Sequence, residues 1–228
     1  QAGVDSAALR VLAGQAAAQL GTWSQAQAHF GKAVALAPND AVPRLHLALA
    51  WLRQGLPARA LEVLQPLLAA RSVQVQAWTL AAQAYLAQDD YARAAAAFNR
   101  ALRESPDDVA LRTQRAEAAV LAGRTQQGLA ELASLASADS GITADLALIT
   151  QHLRAQAFDR AEQAIDDLAR KSPQLPIADR LRGQLALARQ DLPGARAHFQ
   201  RVLDKAPGNP GALRHLAQID VAEAKPEA

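Results

Sequence analysis

Five histidines, three Asp-Asp pairs and a recurring arginine are the groups in this chain whose types and spacing could do chemistry. The histidines are His29, His46, His152, His198 and His215. None belongs to a His-Glu-x-x-His pattern. His29 and His198 precede Phe30 and Phe199 in one register but stand about five helical repeats apart, too far to share a metal. The pairs Asp89-Asp90, Asp107-Asp108 and Asp166-Asp167 invite a general acid/base reading. Their settings suggest plainer work. Asp108 follows Pro106 where a helix should begin, as Asp40 follows Asn39, and both suit helix capping. Asp89-Asp90 lies in a turn. Asp166-Asp167 precedes Arg170 and Lys171 at helical ion-pair spacing. Arg10, Arg44 and Arg112 share the place of Trp78, where the stem covers an apolar edge and the guanidinium stays in water. A phosphate-binding role is the alternative for them. There is no cysteine, and no glycine-rich phosphate loop or Gly-x-Ser-x-Gly turn. The expectation is a non-catalytic chain without cofactor or metal.

The elements that carry these residues follow from a period. Small residues recur at Ala26, Ala60, Ala94, Gly128, Ala161 and Ala195, in steps of 34, 34, 34, 33 and 34. Four residues after each stands a large apolar residue: Phe30, Leu64, Phe98, Leu132, Ile165 and Phe199. Pro38, Ser72, Pro106, Ser140, Pro173 or Pro207 follows near the end of each repeat, and proline disfavours helix in the residue before it. Gly14, Ala48, Ala82, Ala116 and Gly183 supply small residues in a preceding helix. Gly21, Gly55 and Gly123 mark where that helix ends. The chain is 50% hydrophobic but only 4% aromatic, alanine-rich, and nearly free of strand-like alternation. The class is all-α. Small residues on facing helices let two backbones approach, so a bulky residue at Ala94 should overpack the hairpin by roughly 1–3 kcal/mol.

Repeats are expected at 7–40, 41–74, 75–108, 109–141, 142–175 and 176–209, with a capping helix over 210–223 and a frayed tail at 225–228. Asp5 or Ser6 caps the first helix. Ile149 stands where a small residue is expected, and the fourth repeat is one residue short, so packing between 109 and 175 should be looser or rotated. The third repeat carries Trp78, Ala81, Ala82, Tyr85, Ala94, Phe98, Ala101 and Pro106. This pattern resembles the tetratricopeptide repeat family over residues 7–209. The resemblance implies a right-handed α-solenoid whose first helices line a concave groove. It also implies a protein or peptide partner.

Taking the stripe beside the packing positions, the candidate groove comprises Gln15, Gln19, Leu45, Leu49, Arg53, Gln76, Thr79, Gln83, Thr113, Glu117, Thr150, Arg154, Arg180 and Gln184. Its mixture of amides, hydroxyls and leucines suits an extended peptide or an amphipathic helix. Family members that clamp a terminal carboxylate use Lys, Asn and Arg, whereas Val11, Gln15, Leu45 and Leu49 stand at those places, which argues against such a clamp. A glycan suits the polar groups, but aromatic platforms are scarce.

Charge argues against nucleic acid. The net charge is +2 from 24 basic and 22 acidic residues, and they are interspersed rather than gathered in a stripe. No apolar run approaches membrane-spanning length, and no signal peptide is visible. The chain opens at Gln1 and holds no methionine, pointing to a piece of a longer protein. Its Ala/Arg/Gln-rich style is similar to repeat proteins of bacterial envelope polysaccharide export, among them the one accompanying exosortase/PEP-CTERM systems. That similarity implies a periplasmic or envelope-attached scaffold, with the cytoplasm as the other compartment open to it. The alternative is the regulatory or substrate-recruiting arm of an enzyme such as a glycosyltransferase.

Overall fold

The computed structural model describes residues 6–70 and 74–224. Asp5, Ser72 and the 225–228 tail therefore lie outside the described residues. Among the described residues there are thirteen helices and no strand. In chain order they are α1 (Ala7–Gln19), α2 (Trp23–Leu36), α3 (Ala41–Arg53), α4 (Pro57–Leu68), α5 (Val75–Leu86), α6 (Tyr91–Leu102), α7 (Val109–Leu121), α8 (Thr125–Ala138), α9 (Thr143–Arg154), α10 (Phe158–Lys171), α11 (Ile177–Ala188), α12 (Leu192–Lys205) and α13 (Pro210–Ala224). The chain forms two compact blocks, one through Gly128 and one from Leu129.

Local chemistry sets the helix ends. Ser6, Asp40 and Asp108 accept hydrogen bonds from the backbone N–H groups of Leu9, Val42 and Leu111 at 3.2, 3.0 and 3.0 Å. Asp90, Asp191 and Asn209 do the same for α6, α12 and α13. The odd-numbered helices from α1 to α11 all stop alike. The residue two beyond the helix end, or three beyond it in α5, is left-handed: Gly21, Gly55 and Gly123 at φ 74, 72 and 84°, and Asp89, Gln156 and Gln190 at φ 57, 54 and 62°. The next N–H then reaches back five residues, as from Thr22 to Ala17 O at 2.9 Å and from Asp191 to Ala186 O at 2.8 Å.

In the N-terminal block each helix packs on the next, and α3 also touches α1 and α5. The core is alanine around a few large groups. Ala26, Phe30, Leu47 and Ala50 form one cluster; Ala48, Ala60, Leu64 and Ala81 a second; Ala82, Ala94, Phe98 and Ala101 a third. Ala94 is fully buried. A Cβ on Gly14 would meet the Phe30 ring at 2.4 Å, so the helix–helix gap there admits glycine alone.

In the C-terminal block α9 to α13 also pack in succession. Ala195, Phe199, Val202, Ala212 and Ile219 form a core, and a Cβ on Gly183 would meet the Phe199 ring at 2.8 Å. Ile149 is fully buried. The place of Trp78 is taken here by Asp145 and Asp179, each almost fully buried. Lys171 Nζ donates to Asp145 Oδ2 at 2.7 Å and to the carbonyls of Ala136 and Gly141. Lys205 meets Asp179 at 2.8 Å. The ion pairing expected around Asp166-Asp167 is thus only partly local. Arg170 pairs with Asp167, but Asp166 takes Arg182 of α11 and Lys171 turns to α9. A buried carboxylate attracts the nearest long cation more strongly than two solvated ones do.

Candidate functional site

The first-helix stripe is laid out one helix at a time. In the N-terminal block, α1 presents Gln15, half-buried, and Gln19, exposed. On α3, Leu45 and Leu49 are half-buried and Arg53 is exposed. On α5, Gln76 is exposed, with Thr79 and Gln83 half-buried. On α7, Glu117 is half-buried, but Thr113 is only 2% exposed and its hydroxyl finds no partner among the described residues. In the C-terminal block, Thr150, Arg180 and Gln184 are half-buried and Arg154 is exposed. The hydroxyls of Thr79 and Thr150 donate back to Val75 O and Leu146 O at 2.8 and 2.7 Å. They therefore offer a partner lone pairs rather than a proton.

Three stripe residues meet in one cleft. Gln15, Gln19 and Leu49, with Trp23, Phe30 and His46, line a space of about 380 Å³. Its floor is the Phe30 ring, on which the His46 imidazole stacks at 5.0 Å between centroids and 14° between planes. The Gln15 Nε2 and His46 Nε2 atoms lie 3.1 Å apart. Burial holds His46 below the usual histidine range, so the ring is neutral and its Nε2 accepts from the Gln15 amide. Arg53 lies over the Trp23 ring at 5.8 Å. In the sequence His46 reads as an ordinary half-buried histidine. The signal that marks it is its place sixteen residues after Phe30, repeated by His215 after Phe199.

Other clefts are closed by their own charges. One of about 620 Å³ between α12 and α13 has Arg196 held by Asp220 and Glu223 at 2.6 and 2.7 Å. A cleft of about 270 Å³ holds Arg189, which pairs with Asp159 and Glu162 at 3.0 and 2.8 Å, and His198. Burial, aided by Arg201 and Arg182, lowers the His198 pKa. His152 is buried and likewise lowered, by burial and then by Arg160. Arg44 keeps its head at the exposed surface, where it also donates to Pro38 O at 2.8 Å. Among the described residues no three His, Cys, Asp or Glu side chains are placed to hold a metal ion, and no helix is long and apolar enough to cross a membrane.

Two models of the tetratricopeptide repeat match the sequence, one over residues 11–75, 45–109 and 146–210 and the other over 85–144. The chain belongs to the tetratricopeptide repeat family. Its fold is an α-solenoid of such repeats, which serves as a protein-interaction scaffold. Among solved structures it is similar to a tetratricopeptide repeat protein from Parabacteroides merdae, with a TM-score of 0.68 and 15% identity, covering 96% of this chain and 87% of that one. It is also similar to PilF of Pseudomonas aeruginosa, at 0.63 and 17%, covering 93% and 97%. A third is YrrB, described as a TPR protein with an unusual peptide-binding site, at 0.50 and 19%, covering 81% and 96%. No curated protein matches the sequence at a significant level.

Proposed function

We propose that this chain is a non-catalytic scaffold that holds a protein or peptide along the stripe of its first helices. The observation that carries the reading is the cleft at Gln15, Gln19 and Leu49. There, uncharged hydrogen-bonding groups sit beside apolar walls on rigid helices. Peptide binding by YrrB supports the same use of a similar fold. The stripe is nearly free of acid–base groups, and the charged clusters elsewhere satisfy themselves, which supports holding over transforming. A role at the bacterial envelope, in polysaccharide export or assembly, is the second part of the proposal. It is supported by the chain's Ala/Arg/Gln-rich style. The test is recovery of partners from envelope extract by the wild-type chain and by a Leu49→Asp, Gln83→Glu variant. Partners captured by the first and lost by the second are expected. Equal recovery removes the stripe from the reading, and recovery from cytosolic extract alone removes the envelope.

A further inference from the structure

Two successive repeats of the C-terminal block carry the same buried carboxylate in different company. In the sixth repeat Asp179 has three cations: Lys205 at 2.8 Å, and Arg182 and Arg201 each at 3.9 Å. At the same place in the fifth repeat stands Asp145, 3% exposed, with Lys171 at 2.7 Å. The places of the two arginines are taken by Leu148 and Asp167, and the place of His198 by Ala164. Among the described residues Asp145 therefore has one cation where Asp179 has three. The smaller side chains leave a cleft. It measures about 380 Å³ among α8, α9 and α10, with walls of Ala133, Ala136, Leu148 and Ala164. No residue of the first-helix stripe lines it.

What the cleft presents is acceptors. Lys171 takes Asp145 Oδ2, and Oδ1 meets no donor among the described residues. Ser137 Oγ gives its proton to Ser134 O at 3.0 Å and keeps its lone pairs. Asp167 lines the cleft in a surface pair with Arg170, and such pairs are worth little, so a competing cation displaces one at small cost. Lys171 spends its ammonium on Asp145 and on the carbonyls of Ala136 and Gly141. An anion would thus meet two carboxylates and a lysine already committed. Ser137 and Lys171 stand in the last turns of α8 and α10, and the carbonyl ends of helices favour a cation.

We propose that this cleft receives an arginine side chain of a partner protein, whose guanidinium gives Asp145 what Arg182 and Arg201 give Asp179. The sister site in the next repeat shows which chemistry fills the same space when the chain supplies it from within. The arginine stem lies along the alanine and leucine walls. A guanidinium is planar and weakly hydrated, so it suits a half-enclosed carboxylate better than the compact, strongly hydrated lysine ammonium. The site is separate from the peptide-holding stripe and does not depend on it.

The test is an NMR titration of the wild-type chain, read at its backbone amides. The probes are the capped tripeptide acetyl-Gly-Arg-Gly-amide, its lysine and citrulline analogues, and free arginine. Saturable shifts should gather at Ser137, Asp145, Leu148 and Ala164, with a Kd on the order of millimolar. The lysine analogue should bind about fivefold more weakly, and the uncharged citrulline analogue about tenfold or more. Asp167→Arg places a guanidinium where Arg201 stands in the sister site and should weaken binding of the arginine peptide about tenfold. The Leu49→Asp, Gln83→Glu variant of the stripe should bind it as the wild type does. Equal binding of the three peptides, unchanged binding by folded Asp167→Arg, shifts elsewhere on the chain, or no saturable shift overturns the proposal, whatever the stripe is found to hold. Tighter binding of free arginine overturns the protein origin of the guanidinium. The peptide series uses the wild-type chain, so the outcome is decided even where the variant fails to fold.

Discussion

The N-terminal and C-terminal blocks close the same slot in the repeat by opposite chemistry. Before Gly128 the slot holds Arg44, bonded to the Pro38 carbonyl, or Trp78, covered by Arg100 at 5.6 Å. After Leu129 it holds Asp145 and Asp179, each met by a lysine twenty-six residues later. The first solution keeps charge at the surface and leaves the interior apolar. The second buries a carboxylate and must supply a counter-ion from the paired helix. The backbone accepts both because the slot specifies volume and a nearby carbonyl or cation rather than one residue type. The difference lies in how each block fails: the first through packing, the second through electrostatics as well.

Removing a counter-ion tests that distinction most severely. Lys171→Met leaves the Asp145 carboxylate, 3% exposed, without its cation and should destabilise the C-terminal block by about 3–5 kcal/mol. Urea denaturation measures the loss, and hydrogen exchange should place it in α9 and α10 with α1 to α6 unchanged. Adding Asp145→Leu should recover most of it. Equal loss of protection in α1 to α6 would end the contrast between the blocks. Packing comes next. Ala94→Leu should cost the N-terminal block roughly 1–3 kcal/mol, because the site has no exposed surface into which a longer side chain can turn.

Acid should separate the blocks further. His152 and His198 in the C-terminal block and His46 in the N-terminal block all titrate below the ordinary histidine value of 6.5 when folded. Well above that value all three are neutral in both states and contribute nothing to pH dependence. As pH falls from 6.5 toward each folded value, the unfolded chain takes up a proton that the folded chain refuses, and stability is lost. The slope is at most about 1.4 kcal/mol per pH unit for each histidine. Melting between about pH 7 and 5 should fall more steeply for the C-terminal block, and His152→Gln should flatten it. The smallest effect concerns the helix ends. Gln156→Gly relieves a left-handed φ of 54° and should stabilise by about 0.5–1 kcal/mol, whereas the equivalent place in the first repeat, Gly21, has nothing to gain. A small rise in melting temperature checks it.

Much of the fold was legible because its signals are local or periodic. Glycine and proline punctuation marked the helix ends, and the caps at Asp40 and Asp108 could be read directly, with Ser6 one of two candidates for the first. Alanine at fixed intervals announced close helix contacts. What escaped were the pairings between helices. Nothing near Lys171 in the sequence says that it reaches Asp145 rather than Asp166 or Asp167. The left-handed ends at Gln156 and Gln190 were hidden too, since glutamine carries no turn signal; the repeat register alone shows that they stand where Gly21 does. At the candidate site, exposure followed the helical stripe for most residues. Thr113 is buried, because a one-in-four spacing gives direction from a helix axis but not the depth of the neighbour. His46 was invisible until the spacing from Phe30 was compared with that from Phe199.

The Phe199–His215 stack has a practical meaning for anyone trimming the molecule. The ring belongs to one hairpin and its imidazole lid to the helix that follows, so the natural place to cut is never the end of a repeat. Ending the chain at Gly208 would uncover Phe199 and Val202 together and leave an adhesive edge. Any shortened version must keep one helix more than its repeat count suggests.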